Sequence, residues 1–290
     1  MDPDNKKRSH FCPVCRGRMK YYFTAQVLYK YNVLYHQCIQ CGLIQTETPY
    51  WLDEAYDTAI ADLDVGLVQR NIQLSALVAM VLDRYFEPTA KYLDFAGGYG
   101  LFVRMMRDKG FDFYRHDTFC ENIFAKYFDI PTLSGNNLSF ELVTAFEVLE
   151  HFFDPLDKLE KIFKITDSVL LTTEILPKNI SNIGDWLYFA PETGQHITFY
   201  TDDSIHWIAE KLNVSCYTDA KFCSGASSCF LLTRKTLDDF YFLFNPEAIG
   251  LMRKIRQTLF RVSSLQSKRR NKNISTHKDF EYIKSLIANN

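Results

Sequence analysis

Nowhere in the 290 residues does an apolar run approach the ~20 residues that a bilayer-spanning helix needs. The opening residues, Met1-Asp2-Pro3-Asp4-Asn5-Lys6-Lys7-Arg8, lack the apolar stretch of a secretory signal. Both absences point to a cytoplasmic protein, in which cysteines are read as metal ligands or buried residues before disulfides. Excess charge of either sign is missing too. A formal net charge of -2 provides no global field to draw in nucleic acid or an anionic membrane. No internal repeat is visible. Apolar and aromatic residues are plentiful: 47% hydrophobic and 15% aromatic against 23% charged, the balance of a globular chain with a stiff core or a ring-lined site.

Four cysteines fall in two pairs, Cys12-Pro13-Val14-Cys15 and Cys38-Ile39-Gln40-Cys41, with 22 residues between the pairs. Each pair can put two thiolates on one side of a tight knuckle, and two knuckles joined by a hairpin make a tetrahedral sulfur cage suited to zinc. Gly17 and Gly42 follow the pairs, where a knuckle often needs positive φ. Four protein ligands leave zinc no open position, so the metal is expected to be structural. His10 and His36 are bystanders in this reading, and Cys120, Cys216, Cys223 and Cys229 lack ligand spacing.

Apolar residues recur at helical spacing from Gly66 to Phe86, and Pro88 ends that helix. Strand and helix signals then alternate. Lys91–Phe95, Phe111–His116, Leu142–Phe146 and Ser168–Thr173 read as strands, with helices over 101–109, from Asp154-Pro155 onward, and over 202–212. Val214–Phe222 and Ser228–Arg234 read as a closing hairpin around 224–227. The expected fold class is therefore α/β: a Rossmann-like, mostly parallel sheet covered on both faces, with one antiparallel strand at its edge and a small N-terminal zinc knuckle. The expected division is 1–48 for the knuckle, 49–88 for a helical connector or lid, 89–235 for the α/β unit and 236–290 for a helical, basic tail.

Between the first strand and its helix stands Asp94-Phe95-Ala96-Gly97-Gly98-Tyr99-Gly100. Glycines let a backbone approach a ligand closely, and a helix N-terminus offers free N–H groups. A dinucleotide GxGxxG running from Gly98 and Gly100 would need glycine where Val103 stands. A second acid, to bond ribose hydroxyls, belongs at the end of the next strand, and Asp117 stands there. Glu147-Val148-Leu149-Glu150-His151 follows the third strand at the sheet's carboxyl edge, where ligands bind in open α/β folds.

The segment 92-YLDFAGGYGLFVRMMRDKGFDFYRHD-117 followed by 142-LVTAFEVLEHFFDP-155 resembles the class I S-adenosylmethionine-dependent methyltransferases. With the cysteine pairs, it is similar to zinc-knuckle-bearing members that often act in sugar and polysaccharide pathways. The resemblance implies a cofactor site of Asp94, Ala96, Gly97, Gly98, Gly100 and Asp117, with Asn136 toward the adenine. It departs at Ala96, where the family commonly has glycine. Glu147 to His151 makes the pattern ExxEH, which resembles the metal-binding segment of ubiquinone-pathway and small-RNA O-methyltransferases, where a later histidine completes the set. His196 in Gln195-His196-Ile197 is the candidate here. Glu147, Glu150, His151 and His196 would then hold Mg²⁺ or Mn²⁺, with Glu150, His151 and His196 as the catalytic candidates. The segment 191-PETGQHITFYT-201 also resembles deoxysugar C-methyltransferases that use the histidine as base, although Thr193 stands where they have tyrosine. The expected substrate is a polar small molecule such as a sugar or glycan precursor, methylated on oxygen. The alternatives are C-methylation, an RNA-methylating or nucleic-acid-binding protein, and a non-catalytic scaffold suggested by Ala96. Tyr50, Trp51, Tyr56, Trp186, Tyr188 and Phe189 are read as sugar-pocket rings or as packing. The basic clusters Arg253-Lys254-Ile255-Arg256 and Lys268-Arg269-Arg270 would suit a membrane surface or remain a solvated tail.

Overall fold

Two cysteine knuckles and a hairpin open the chain in the computed structural model, which describes residues 11–57, 64–131, 138–180, 182–219, 227–237 and 274–288. Strands β1 (Met19–Val27) and β2 (Tyr31–Cys38) form the hairpin, and β3 (Ile44–Thr46) pairs antiparallel with β2. A short helix α1 (Leu52–Ala55) leads to α2 (Leu67–Tyr85), which buries Leu74, Leu77, Val78, Val81 and Leu82 along one face, the stripe that its sequence spacing predicts. Phe86 turns extended and Pro88 follows, so the helix stops there.

The α/β unit follows the sequence reading closely. Strands β4 (Lys91–Phe95), β5 (Asp112–His116), β6 (Leu142–Phe146) and β7 (Ser168–Thr173) are parallel. They alternate with α3 (Leu101–Asp108) and α4 (Pro155–Ile162). Every residue of β7 is buried, as expected of a strand covered on both faces. Asp154 caps α4 by accepting the Asp157 N–H, with Pro155 at the first helical position. After β8 (Thr198–Phe199), the helix α5 (Asp202–Leu212) starts on a capping box between Thr201 and Ser204. Strands β9 (Ser215–Asp219) and β10 (Ser228–Thr233) complete a six-stranded sheet of order β5-β4-β6-β7-β10-β9. The reversed strand is β10. It lies one place inside the expected position, between β7 and β9, because the hairpin folds back and leaves β9 at the edge. The turn read at 224–227 lies largely outside the described residues, as do Cys223 and the basic clusters.

The register brings the carboxyl ends of β4, β5 and β6 side by side, so Asp94, Asp117 and Glu147 emerge on one edge of the sheet. The N-terminal sheet has the order β1-β2-β3-β8, and its fourth strand comes from the α/β part of the chain. Its cysteines pack in one core with Leu149, Phe152, Tyr200 and Ile205. A final helix, α6 (Thr276–Ala288), is anchored on α3, where Arg107 forms two 2.8 Å bonds with Asp279 and a 2.7 Å bond with Asp112. Among the described residues no helix is long and apolar enough to cross a membrane.

Candidate active site and metal centre

Cys12, Cys15, Cys38 and Cys41 converge, with their sulfur atoms all within 4.8 Å of one another and all four residues buried. Cys12 and Cys41 are 3.6 Å apart and Cys15 and Cys38 are 3.4 Å apart. Four sulfurs bound at ~2.3 Å around a tetrahedral centre would stand ~3.8 Å apart, so the cage has the size zinc needs. Backbone N–H groups of Gly17 and Gln40 point at Cys15 and Cys38 (3.3 and 3.4 Å), as in a thiolate knuckle. The hydrogen bond from Cys41 draws Cys12 down to about 6, and burial lifts Cys15 to about 11. Positive φ occurs at Gly42 (+73°), as predicted, but in the first knuckle it falls on Arg16 (+63°) rather than Gly17. Gly17 is needed for another reason: a Cβ there would meet Gln40 at 2.9 Å. His36 is not in the cage, and His10 lies outside the described residues.

The loop after β4 is the second feature. Asp94 is fully buried, accepts the Thr144 hydroxyl at 2.6 Å and is raised by burial to about 7. A Cβ on Gly97 would meet the Asp94 carboxylate at 2.7 Å, and Gly100 opens α3 at φ +83°. Asp117 closes the loop from β5: its Oδ2 accepts the Gly98 N–H at 2.9 Å, and its Oδ1 accepts the N–H groups of Phe119 and Cys120. The departure at Ala96 now has a physical meaning. Its φ is +54°, a left-handed conformation that glycine adopts at no steric cost. Ala96→Gly is therefore expected to stabilise the chain by about 1 kcal/mol, as read by denaturant melts. A destabilised Ala96→Gly variant would contradict the strained-loop account. Asn136 lies outside the described residues.

The third feature joins Glu150, His151 and His196, each offering a ligand atom within 4.8 Å of the others. The chain turns through a single 3-10 turn, Leu149–His151, at the end of the third parallel strand. His151 Nδ1 lies 2.9 Å from the Gln195 carbonyl and His196 Nδ1 lies 2.6 Å from the Tyr188 carbonyl. A carbonyl only accepts, so both rings carry the proton on Nδ1 and keep the Nε2 lone pair free. Burial, then the neighbouring His151 ring, pushes His196 down to about 3. Glu150 is completely buried. Its Oε2 accepts the Thr173 hydroxyl at 3.1 Å, while Oε1 has no hydrogen-bond partner among the described residues. Glu147, predicted for the same set, does not join it. Its carboxylate accepts the Thr172 and Ser227 hydroxyls at 2.6 and 3.1 Å, and burial raises it to about 7. The backbone at Glu147 has φ +52°, which turns this side chain away from the direction Glu150 takes one turn later.

A cavity of about 1220 Å³ runs from the glycine loop to His151 and His196. A methyltransferase-domain family matches residues 68–218, more than half of the chain. The chain belongs to that methyltransferase family. Among solved structures it is similar to human N-acetylserotonin methyltransferase in complex with S-adenosylmethionine (14% identity, TM-score 0.45), covering 57% of this chain and 52% of that one. The methyltransferase thus spans about half the length of the human enzyme. It is also similar to magnesium protoporphyrin IX methyltransferase from Synechocystis PCC 6803 (14% identity, TM-score 0.44), covering 64% of this chain and 96% of that one. A third similar structure is an O-methyltransferase family protein from Burkholderia thailandensis (11% identity, TM-score 0.46; 63% of each chain). No curated protein matches the sequence.

Several lining residues of the methyltransferase cavity escaped the sequence reading. Arg70 on α2 pairs with Asp64 at 2.7 Å, and nothing in the apolar stripe of that helix marks it. Glu174 is raised by burial to about 7 and accepts the Trp186 N–H at 2.7 Å. Its position directly after a buried strand was a usable signal. Arg115 does not line the cavity but stands in β5, where the sequence reading gave it no role. It binds the Gly98 and Cys120 carbonyls and Asp129, and so ties the glycine loop to β5. Of the aromatic candidates, Tyr56 and Tyr188 line the cavity, Trp51, Trp186 and Phe189 are packed in a core, and Tyr50 is exposed.

Proposed function

We propose that this methyltransferase transfers the methyl group of S-adenosylmethionine, its cofactor, to a hydroxyl of a polar small molecule, at a divalent cation held by Glu150, His151 and His196. The observation that carries the proposal is the buried, unpartnered Glu150 Oε1 in a cluster with two imidazoles whose Nδ1–H groups are tied to carbonyls. Buried polar atoms are nearly always paired, and metal-bound histidines characteristically donate their other N–H to a backbone or carboxylate oxygen. Two nitrogens and one carboxylate favour Mn²⁺ or another transition metal over Mg²⁺. Such a cation supplies Lewis acidity that lowers the pKa of a substrate hydroxyl. Asp94, Gly97, Gly98, Gly100 and Asp117 would hold the cofactor, with Asp117 beside its ribose and the Gly97 backbone where a side chain has no room. Burial keeps His196 unprotonated but makes it a weak base, which favours the ligand role and O-methylation over C-methylation with His196 as base.

The acceptor class, a sugar or glycan precursor, rests on the pairing of a cysteine cage with this fold and on Glu147, Glu174 and Tyr188 along the cavity, groups able to accept hydroxyl protons or stack on a sugar face. The test is a screen of sugars, nucleotide sugars and RNA with labelled cofactor, with and without Mn²⁺. A polar hydroxyl acceptor whose labelling is lost in EDTA and in Glu150→Gln is the expected result. Labelling that persists in both overturns the cation.

A further inference from the structure

The segments that carry Glu150, His151 and His196 are a single 3-10 turn and a stretch ahead of a two-residue strand, neither of which holds itself rigid. Their mutual position is held directly by the Tyr200 hydroxyl on the Leu149 carbonyl (2.8 Å) and, in addition, from the N-terminal sheet. Thr46 donates its N–H to the Ile197 carbonyl, and Ile197 donates its own to the Glu150 carbonyl, each at 3.0 Å. A side-chain clamp runs parallel to this relay. The Thr198 hydroxyl donates to the Phe152 carbonyl at 2.8 Å and accepts from Gln45 Nε2 at 2.9 Å, and the same amide donates to the Phe153 carbonyl at 2.8 Å. Thr198 is fully buried and Gln45 is 6% exposed, so no water competes for these bonds. Gln45 stands four residues after Cys41, and the Cys41 carbonyl accepts the Thr201 hydroxyl at 2.5 Å.

We propose that Thr198 and Gln45 are positioning residues that transmit the geometry of the cysteine-cage sheet to the Glu150–His151–His196 cluster. The zinc module is then part of the reacting centre's scaffold, although it lies outside the cofactor site. The proposal concerns where the rings are held, so it rests on the preceding reading only for the chemistry done there.

The two histidines provide a reporter and a control. The His151 bond to Gln195 spans the two segments, whereas the His196 bond to Tyr188 lies within one. Histidine nitrogen NMR on the zinc-loaded full chain, without added cation or cofactor, reads which nitrogen carries each proton. Assignments come from His151→Gln and His196→Gln. In the wild type both rings show the Nδ1–H form, the minor tautomer of a free imidazole. Thr198→Val keeps the side-chain shape but leaves the Gln45 amide and the Phe152 carbonyl short of a partner. The expected result is that the His151 Nδ1–H signal falls by at least half while His196 keeps its own. Thr198→Ser should restore both, and Gln45→Met should repeat the loss. An unchanged His151 in Thr198→Val and Gln45→Met overturns the proposal. So does a loss in which S-adenosylmethionine affinity and zinc content fall in step with the His151 signal, because that is general unfolding. Titration of the wild type with Co²⁺ separates the two readings: no binding at the cluster refutes the cation and leaves the tautomer result standing.

Discussion

Cys38→Ser is expected to reduce zinc content from about one ion per chain to near zero and to destabilise the whole methyltransferase, not only its N-terminus. Structural zinc in small sulfur sites carries an apparent ~10–16 kcal/mol of binding free energy, most of which is folding free energy. Here the four cysteines share a core with Leu149, Phe152, Tyr200 and Ile205, so loosening the cage exposes surface that also supports α5 and the turn carrying Glu150. A loss of several kcal/mol, at about 2–4 °C per kcal/mol for a chain of this size, lowers the melting temperature by on the order of 10 °C. Metal analysis and thermal melts check it. Unchanged zinc content in Cys38→Ser would refute the four-sulfur cage.

His196→Ala should lower methyl transfer by about 10²–10⁴-fold, with S-adenosylmethionine affinity within about twofold of the wild type. The two effects separate because the ring's hydrogen bond goes to the Tyr188 carbonyl and not to the glycine loop. The pH dependence of stability gives a second reading. His196 sits at about 3 in the folded chain against 6.5 for a free ring. The unfolded chain therefore binds the extra proton between those values. The stability contributed by the neutral ring is present above pH 6.5 and is lost as pH falls toward 3. His196→Gln should thus close on the wild type in melting temperature between pH 7.5 and pH 5. A gap that stays constant would mean that the ring is not buried neutral. A full rate in His196→Ala would remove it from the reacting centre.

Much of this architecture was legible in the sequence because the signals were local. Leu142–Phe146 and Ser168–Thr173 are short apolar runs with defined ends, and the structure places both strands at those bounds. Thr201 and Asp154 announce their helices through capping chemistry that involves neighbours three residues away. The cysteine cage was readable for the same reason, since each knuckle is built within four residues. What the sequence could not convey was direction in space. ExxEH looks like a set of three ligands, but the left-handed backbone at Glu147 turns it toward Thr172 and Ser227 and leaves Glu150 and His151 to meet His196. Nor does spacing reveal that a two-residue strand beyond His196 completes the N-terminal sheet, because β3 and β8 are more than 150 residues apart in the chain. Ala96 misled in the opposite way: it suggested a degenerate loop, but the loop is formed and the alanine carries a strained φ within it.

The strand β8 also imposes an order on assembly. The two knuckles and the hairpin between them need only contacts within the first few dozen residues, so the cage has all it requires for metal early in synthesis. Its sheet stays one strand short until Thr198 and Phe199 arrive. Loop closure over so long a span is slow, and an unpaired strand edge invites pairing with other chains in the interval. A metal taken up early would hold β3 as a ready template for β8. Metal supply during synthesis would then set the yield of folded chain, by a route separate from anything the finished protein does in its cavity.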